Sequence, residues 1–351
     1  LTFFYINILL IKIIYHYGVY IEMHYFILFL ITSISIFGCG DSNKEVTIED
    51  SKNDQAIVET EPELEKDIIK NNIIEIKSCK KYAGAICSLK YKGFEIVDNK
   101  DFGRQIQSAV NYPTNSGPES YNPTEAGNIR DVNRSSSELL NMSIKNNVLY
   151  TNNQMAYWLE PNQCNNGVVS CAVNKKELSN TFVSKEISIG YQGFNNVVHF
   201  KTLFDVESNV DEGVRLDGRI QFQVLATHTP SSWDKFYLFQ EELVPFQAPI
   251  KNKNYPYESP IISASRDGSI AIALLKIPNN SPTEYVFDLY SMKHADRAAS
   301  SLPNESGVTA LFDLYITPLV LGSTHYFETL LILGTLEEVK GTIEHFYKEK
   351  D

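Results

Sequence analysis

The sequence predicts a large all-β domain, an antiparallel sandwich with one C-terminal α-helix, and three observations carry that prediction. From Asn71 onward, short apolar or alternating runs recur between turn signals. Aromatic residues are abundant, with 20 Tyr and 19 Phe, and flat rings pack well on a pleated surface. No internal repeat or composition break divides residues 71–351, so this stretch reads as one domain.

The segments before that domain are of a different kind. Two apolar stretches open the chain, Leu1–Ile21 and Met23–Gly38, and Met23 is the only Met before Cys39. Translation is expected to begin at Met23, with 1–22 an upstream extension. From Met23 the apolar run is short for a bilayer span and ends in small residues. Ile36-Phe37-Gly38-Cys39 resembles the bacterial lipobox, in which the cysteine is lipidated and becomes the mature terminus. Residues 1–38 are thus read as extension plus lipoprotein signal peptide, the alternative being an uncleaved membrane helix. That resemblance implies an acyl (palmitate-type) anchor on Cys39 and an extracytoplasmic cell-envelope location. Residues 39–70 are read as a disordered acidic tether: within 41–70, ten Asp and Glu face four Lys, with one Pro and no aromatic residue.

Strands are predicted at Ile73–Ile76, Ala83–Tyr91, Thr181–Ile189, Val197–Val206 and Gly218–Thr227. Further strands are predicted at Pro260–Ser265, Ser269–Lys276, Tyr285–Tyr290, Thr309–Ile316 and Thr324–Leu333. In Val197–Val206, Val198, Phe200, Phe204 and Val206 share one face and His199, Lys201 and Asp205 the other, the signature of a sheet buried on one side. Lys92-Gly93, Asp217-Gly218 and Asp267-Gly268 are turn sequences between runs. At the end, Thr335-Leu336-Glu337-Glu338 forms a capping box, and Leu336, Val339, Ile343 and Phe346 follow at helical spacing.

Five cysteines are an odd count; assigning Cys39 to lipid leaves Cys79, Cys87, Cys164 and Cys171 as two sequence-local pairs. The expected disulfides are Cys79–Cys87 and Cys164–Cys171, the competing reading being four reduced, buried thiols. A net charge of -12 argues against nucleic acid as a partner, because phosphate binding needs a basic face. H-E-x-x-H, G-x-S-x-G, the phosphate-binding G-x-x-x-x-G-K-[ST] and C-x-x-C are all absent from the sequence. His199, His228, His294, His325 and His345 are too scattered to read as a metal site, and neither metal nor cofactor is predicted.

The informative stretch runs from Tyr82 to Gly127. Ala83-Gly84-Ala85-Ile86-Cys87-Ser88-Leu89 leads into Gly93-Phe94-Glu95, followed by Gly103-Arg104-Gln105-Ile106-Gln107 and Asn122-Pro123-Thr124-Glu125-Ala126-Gly127. The G-A-x-x-S-L and G-x-E pattern resembles the opening hairpin of galactose mutarotase-like β-supersandwich proteins. The later segments resemble those of uncharacterised secreted bacterial proteins of that type. The resemblance covers 71–351 in layout and about forty-five residues in motif, and it implies the supersandwich fold and carbohydrate as ligand. The epimerases of that superfamily use a His acid and a Glu base. Their His-containing strand motif has no match here, since Gln154-Met155-Ala156-Tyr157-Trp158 carries no His, and no catalytic pair is transferred.

Sugar recognition needs rings to stack on C–H faces and polar forks for hydroxyls. Arg104, Gln107, Asn122 and Glu125 supply the polar groups, with Tyr121, Tyr157 and Trp158 as stacking platforms; Trp233 and Tyr237 are further aromatic candidates. Glu125 doubles as the candidate acid or base. The bland counterpart is an Arg104–Glu125 ion pair locking a loop to the sheet. Glu207, Asp211 and Glu212 read as a solvated turn before they read as acids or bases. The expectation is a lipid-anchored envelope protein that binds or processes a saccharide. The alternatives are a non-catalytic glycan-binding or scaffold domain and an envelope interaction protein unrelated to sugar.

Overall fold

The computed structural model describes residues 67–97, 106–164, 170–230, 233–246, 259–277, 284–293 and 307–348. The first strands are β1 (Ile68–Lys70), β2 (Ile74–Ser78), β3 (Ile86–Tyr91), β4 (Phe94–Glu95), β5 (Ile106–Asn111) and β6 (Pro123–Thr124). Next come β7 (Glu138–Lys145), β8 (Val148–Tyr157), β9 (Leu178–Tyr191), β10 (Phe194–Asp205), β11 (Arg219–Pro230) and β12 (Lys235–Gln240). The last are β13 (Glu242–Phe246), β14 (Ile261–Ala264), β15 (Ala271–Lys276), β16 (Glu284–Lys293), β17 (Gly307–Pro318) and β18 (Thr324–Gly334). Helix α1 (Leu336–Lys348) follows.

The strand pairs are antiparallel and form two runs. One is ordered β7-β8-β9-β10-β18-β15-β14-β12-β13, the other β16-β17-β11-β5-β3-β2-β1. The short β6 pairs with both β5 and β8 and so stitches the runs together. Apolar residues from both runs meet in shared clusters. Ile76, Leu89 and Leu225 pack with Ile187, Phe200 and Leu331, while Val110, Phe222 and Tyr315 pack with Val183, Phe204 and Phe327. The fold is therefore an all-β, sandwich-like architecture with a C-terminal helix, as the alternating pattern predicted.

Local chemistry sets the boundaries. β1 takes Ile68–Lys70 out of the segment read as tether, because Ile69 is fully buried and β1 pairs with β2. Lys92-Gly93 adopts positive φ at both residues, the backbone that a tight hairpin between β3 and β4 requires. Cys79–Cys87 and Cys164–Cys171 are bonded, with Cα separations of 5.8 Å and 4.0 Å, so the paired reading holds over the reduced one. α1 carries the expected capping box: the Glu338 N–H donates to Thr335 Oγ1 at 3.2 Å, and the Thr335 N–H to Glu338 Oε2 at 2.7 Å. Val339, Ile343 and Phe346 bury against Val197, Ala273, Leu330 and Ile332, each side chain stabilising by about 1.5–3 kcal/mol. The helix thereby covers one end of the outer face of the first run, reaching Tyr191 of β9 and Phe194 and Val197 of β10.

Candidate functional site

The segment singled out in the sequence lies within the sandwich. Glu125 is 1% exposed, its carboxylate accepts the Ser108 N–H at 2.7 Å, and it is paired with the equally buried Lys185 of β9. Arg104 lies outside the described residues. Gln107 is buried, and its side-chain carbonyl accepts the Ala126 N–H at 3.0 Å. Asn122 is half-buried and donates to Asn111. The loop after β6 is closed on itself: Thr124 Oγ1 donates to the Gly127 carbonyl at 2.6 Å, and the Asn128 N–H to Asp131 Oδ2 at 2.7 Å. Gly127 has φ +99°, and a Cβ there would lie 2.1 Å from Asp131 Oδ2, so the N-P-T-E-A-G run is fitted to backbone closure.

Two of the three proposed stacking rings are also interior. Tyr121 and Tyr157 lie 4.6 Å apart by centroid and are at most 2% exposed, so neither offers a face to solvent; Trp158 is half-buried. Trp233 is buried in the core, and Tyr237 packs against the helix-side cluster. Of the set expected to line one concave surface, Gln107, Tyr121, Glu125 and Tyr157 are buried in the space to which both runs contribute, and Asn122 and Trp158 are half-buried.

Glu207 departs furthest from its expected solvated turn. It is 3% exposed and accepts the Tyr157 hydroxyl at 2.6 Å, with the Tyr121 and Thr181 hydroxyls at 3.4 Å. Its own N–H donates to the Tyr112 hydroxyl at 3.1 Å. Burial pushes the carboxyl up, opposed by these hydrogen bonds, and burial first and Glu207 second hold the Tyr157 phenol protonated. Asp211 accepts the Lys175 N–H at 2.8 Å, while Glu212 is exposed.

The outer face of β8, β9, β10 and β18 presents a second constellation, which register alone brings together. Tyr150 lies opposite Glu186, Glu186 opposite Lys201, and Lys201 opposite Glu328, one row across four strands. The flanking rows carry Ser188 and His199 on one side and Asn152, Ser184 and Tyr326 on the other. Lys201 Nζ pairs with Glu186 Oε1 at 2.8 Å, and this hydrogen bond raises the lysine. His199 Nε2 meets Glu328 Oε2 at 2.6 Å, with the Tyr191 ring 4.8 Å from the imidazole. Burial lowers the His199 imidazole against the opposing pull of Glu328. Tyr326 is 44% exposed, and partial burial together with Glu328 keeps its phenol protonated. The face thus offers carboxylates, an ammonium, an imidazole and two phenols on a rigid sheet. That is the mix of forks and rings that hydroxyl-rich ligands need.

The alternation of His199 and Lys201 was visible in the sequence; their partners Glu186 and Glu328 were not, because only strand order and register place them alongside. Among the described residues, no group of three or more His, Cys, Asp or Glu is disposed to hold a metal ion. No helix among them is long and apolar enough to cross a membrane, and Cys39 with the apolar segments before it lies outside them.

No protein-family model matches the chain, and no curated protein does. Among solved structures it is similar to the α-N-acetylgalactosaminidase NagBb from Bifidobacterium bifidum, with 10% identity over 81% of this chain and 39% of that one, TM-score 0.45. It is also similar to 4-α-glucanotransferase from Thermococcus litoralis, with 10% identity over 76% of this chain and 37% of that one, TM-score 0.39. The Slr1438 protein from Synechocystis sp. PCC 6803 matches with 7% identity over 81% of this chain and 100% of that one, TM-score 0.38. The chain spans less than two-fifths of the length of the two enzymes. At these scores the likenesses are loose and assign neither family nor activity.

Proposed function

We propose that this chain is a cell-envelope protein, lipid-anchored through Cys39, that binds or processes a saccharide on a galactose mutarotase-like β-sandwich. The binding surface is the outer face of β8–β9–β10–β18. The observation that carries this reading is the row Tyr150–Glu186–Lys201–Glu328 with His199 and Tyr326 beside it. A sheet face serving only solubility has no need to hold an imidazole at 8% exposure among ion pairs. The two disulfides favour an oxidising compartment. The lipobox resemblance of Ile36–Cys39 supports the anchor, and the Tyr82–Gly127 pattern supports the supersandwich family.

A glycan-array screen of the exported protein tests the reading, with Glu328→Gln as the comparison. Capture of a defined saccharide by the parent, weakened at least about tenfold (about 1.4 kcal/mol) in the variant, is expected. No capture across neutral, acidic and amino sugars would remove carbohydrate as the ligand. For the anchor, Cys39→Ser should release the protein from membranes; sedimentation that survives carbonate extraction would favour an uncleaved helix.

A further inference from the structure

The sandwich interior holds ionisable groups that ligand binding on the outer face does not use. Lys185 and Glu125 are both 1% exposed, come from β9 and from the loop after β6, and touch through Nζ and Oε2. Glu125 Oε2 also accepts the Ser108 N–H at 2.7 Å. A third buried acid, Asp313 of β17, is 0% exposed; it accepts the Leu225 N–H at 2.5 Å and the Thr329 hydroxyl.

We infer that Lys185 and Glu125 condense within the folded chain to an amide cross-link, a self-catalysed modification tying β9 to the loop after β6. The step balances with nothing added. The ammonium gives up two protons, the carboxylate gives up one oxygen, an Nζ–Cδ bond forms as a C–O bond breaks, and one water leaves. Three features of the site favour it. An ion pair in a low-dielectric interior is poorly solvated, whereas its product is a neutral amide. Amine and carboxyl are already in contact, so the bond-forming step carries no cost of bringing them together. The Ser108 N–H points at Glu125 Oε2, where negative charge develops when nitrogen adds to the carboxyl carbon.

The buried Thr202 hydroxyl, directly opposite Lys185 on β10, has no partner among the described residues and offers the departing water a hydrogen bond.

Mass spectrometry of the full chain, purified, reduced to open the disulfides and digested after denaturation, tests the inference without any variant. The expected result is a branched peptide containing both Lys185 and Glu125, lighter by one water than its two linear halves together. Lys185→Arg should lose the branched species and gain the linear Glu125 peptide. Linear peptides of unaltered mass in the parent, with Lys185 open to acylation once the protein is denatured, would overturn the inference and leave an ordinary buried ion pair. A branch to Asp313 would overturn the assignment of Glu125 as the acyl donor.

Discussion

Lys185 and Glu186 are adjacent in β9, yet they belong to two different kinds of chemistry. Lys185 points into the sandwich, is 1% exposed and meets Glu125. Glu186 points outward and meets Lys201 at 2.8 Å, with the two side chains 38% and 36% exposed. As the chain folds, before Lys185 and Glu125 condense, the pairs share the same charges and a similar contact; what differs is the solvent. Water screens the outer pair, and such pairs contribute about 0–1 kcal/mol. Inside, removing one partner leaves a charge with neither water nor counter-ion. The inner pair is therefore fixed by the fold, whereas the outer residues can exchange protein partners for a ligand at small cost.

The largest expected effect that separates the faces is that of Lys185→Met. Stranding the Glu125 carboxylate should cost about 3–5 kcal/mol, read as a lower denaturant midpoint, and Glu125→Leu in the same chain should restore part of it. A loss below 1 kcal/mol would mean that the interior admits water around Glu125.

Next in size is the pH dependence set by Asp313. Its folded pKa is raised from 3.8 to about 7, so the fold binds this proton more tightly than the unfolded chain does. Its contribution is fully present below about pH 4 and is lost as pH rises through 7, by at most about 4 kcal/mol. His199, with its imidazole lowered, acts in the opposite direction, its contribution being lost as pH falls below the unfolded value of 6.5. Asp313→Asn should remove the alkaline decline while keeping the acid one. Urea titrations at pH 5 and pH 8 compare the two, and an unchanged alkaline slope would contradict the assignment.

Tyr157→Phe comes third, since it deletes the 2.6 Å hydrogen bond to buried Glu207. A cost of about 1–3 kcal/mol is expected, with saccharide capture unchanged. The smallest effect is that of Lys201→Met on the outer face. Stability should change by less than about 1 kcal/mol, while capture of the array-identified saccharide falls.

Much of the strand layout was legible because burial on one face writes itself as alternation. Val197–Val206 was read with the correct inward residues and corresponds to β10, and Thr324–Leu333 corresponds to β18. β8 was missed because its inward residues include Thr151 and Asn153, polar side chains that break the apolar pattern; the Asn153 amide nitrogen donates to the Ala83 carbonyl at 3.0 Å. The cysteine pairs were readable because each is local in sequence. Glu125 was read as a loop acid aimed into a cleft, but its counter-ion sits 60 residues away, and local sequence does not encode that distance. The outer row failed to emerge for the same reason, since Glu186, Lys201 and Glu328 become neighbours only through the register of three strands.

The division of labour between the two faces is tested most directly by locating a captured saccharide through backbone amide shifts of the isotope-labelled protein. The expected shifts centre on Tyr150, Glu186, His199, Lys201, Tyr326 and Glu328, with Tyr121, Glu125, Tyr157 and Glu207 unmoved. Shifts centred on Asn122, Glu125 and Tyr157, with the β9–β10–β18 outer face silent, would contradict the account and return the site to the segment first marked by the sequence.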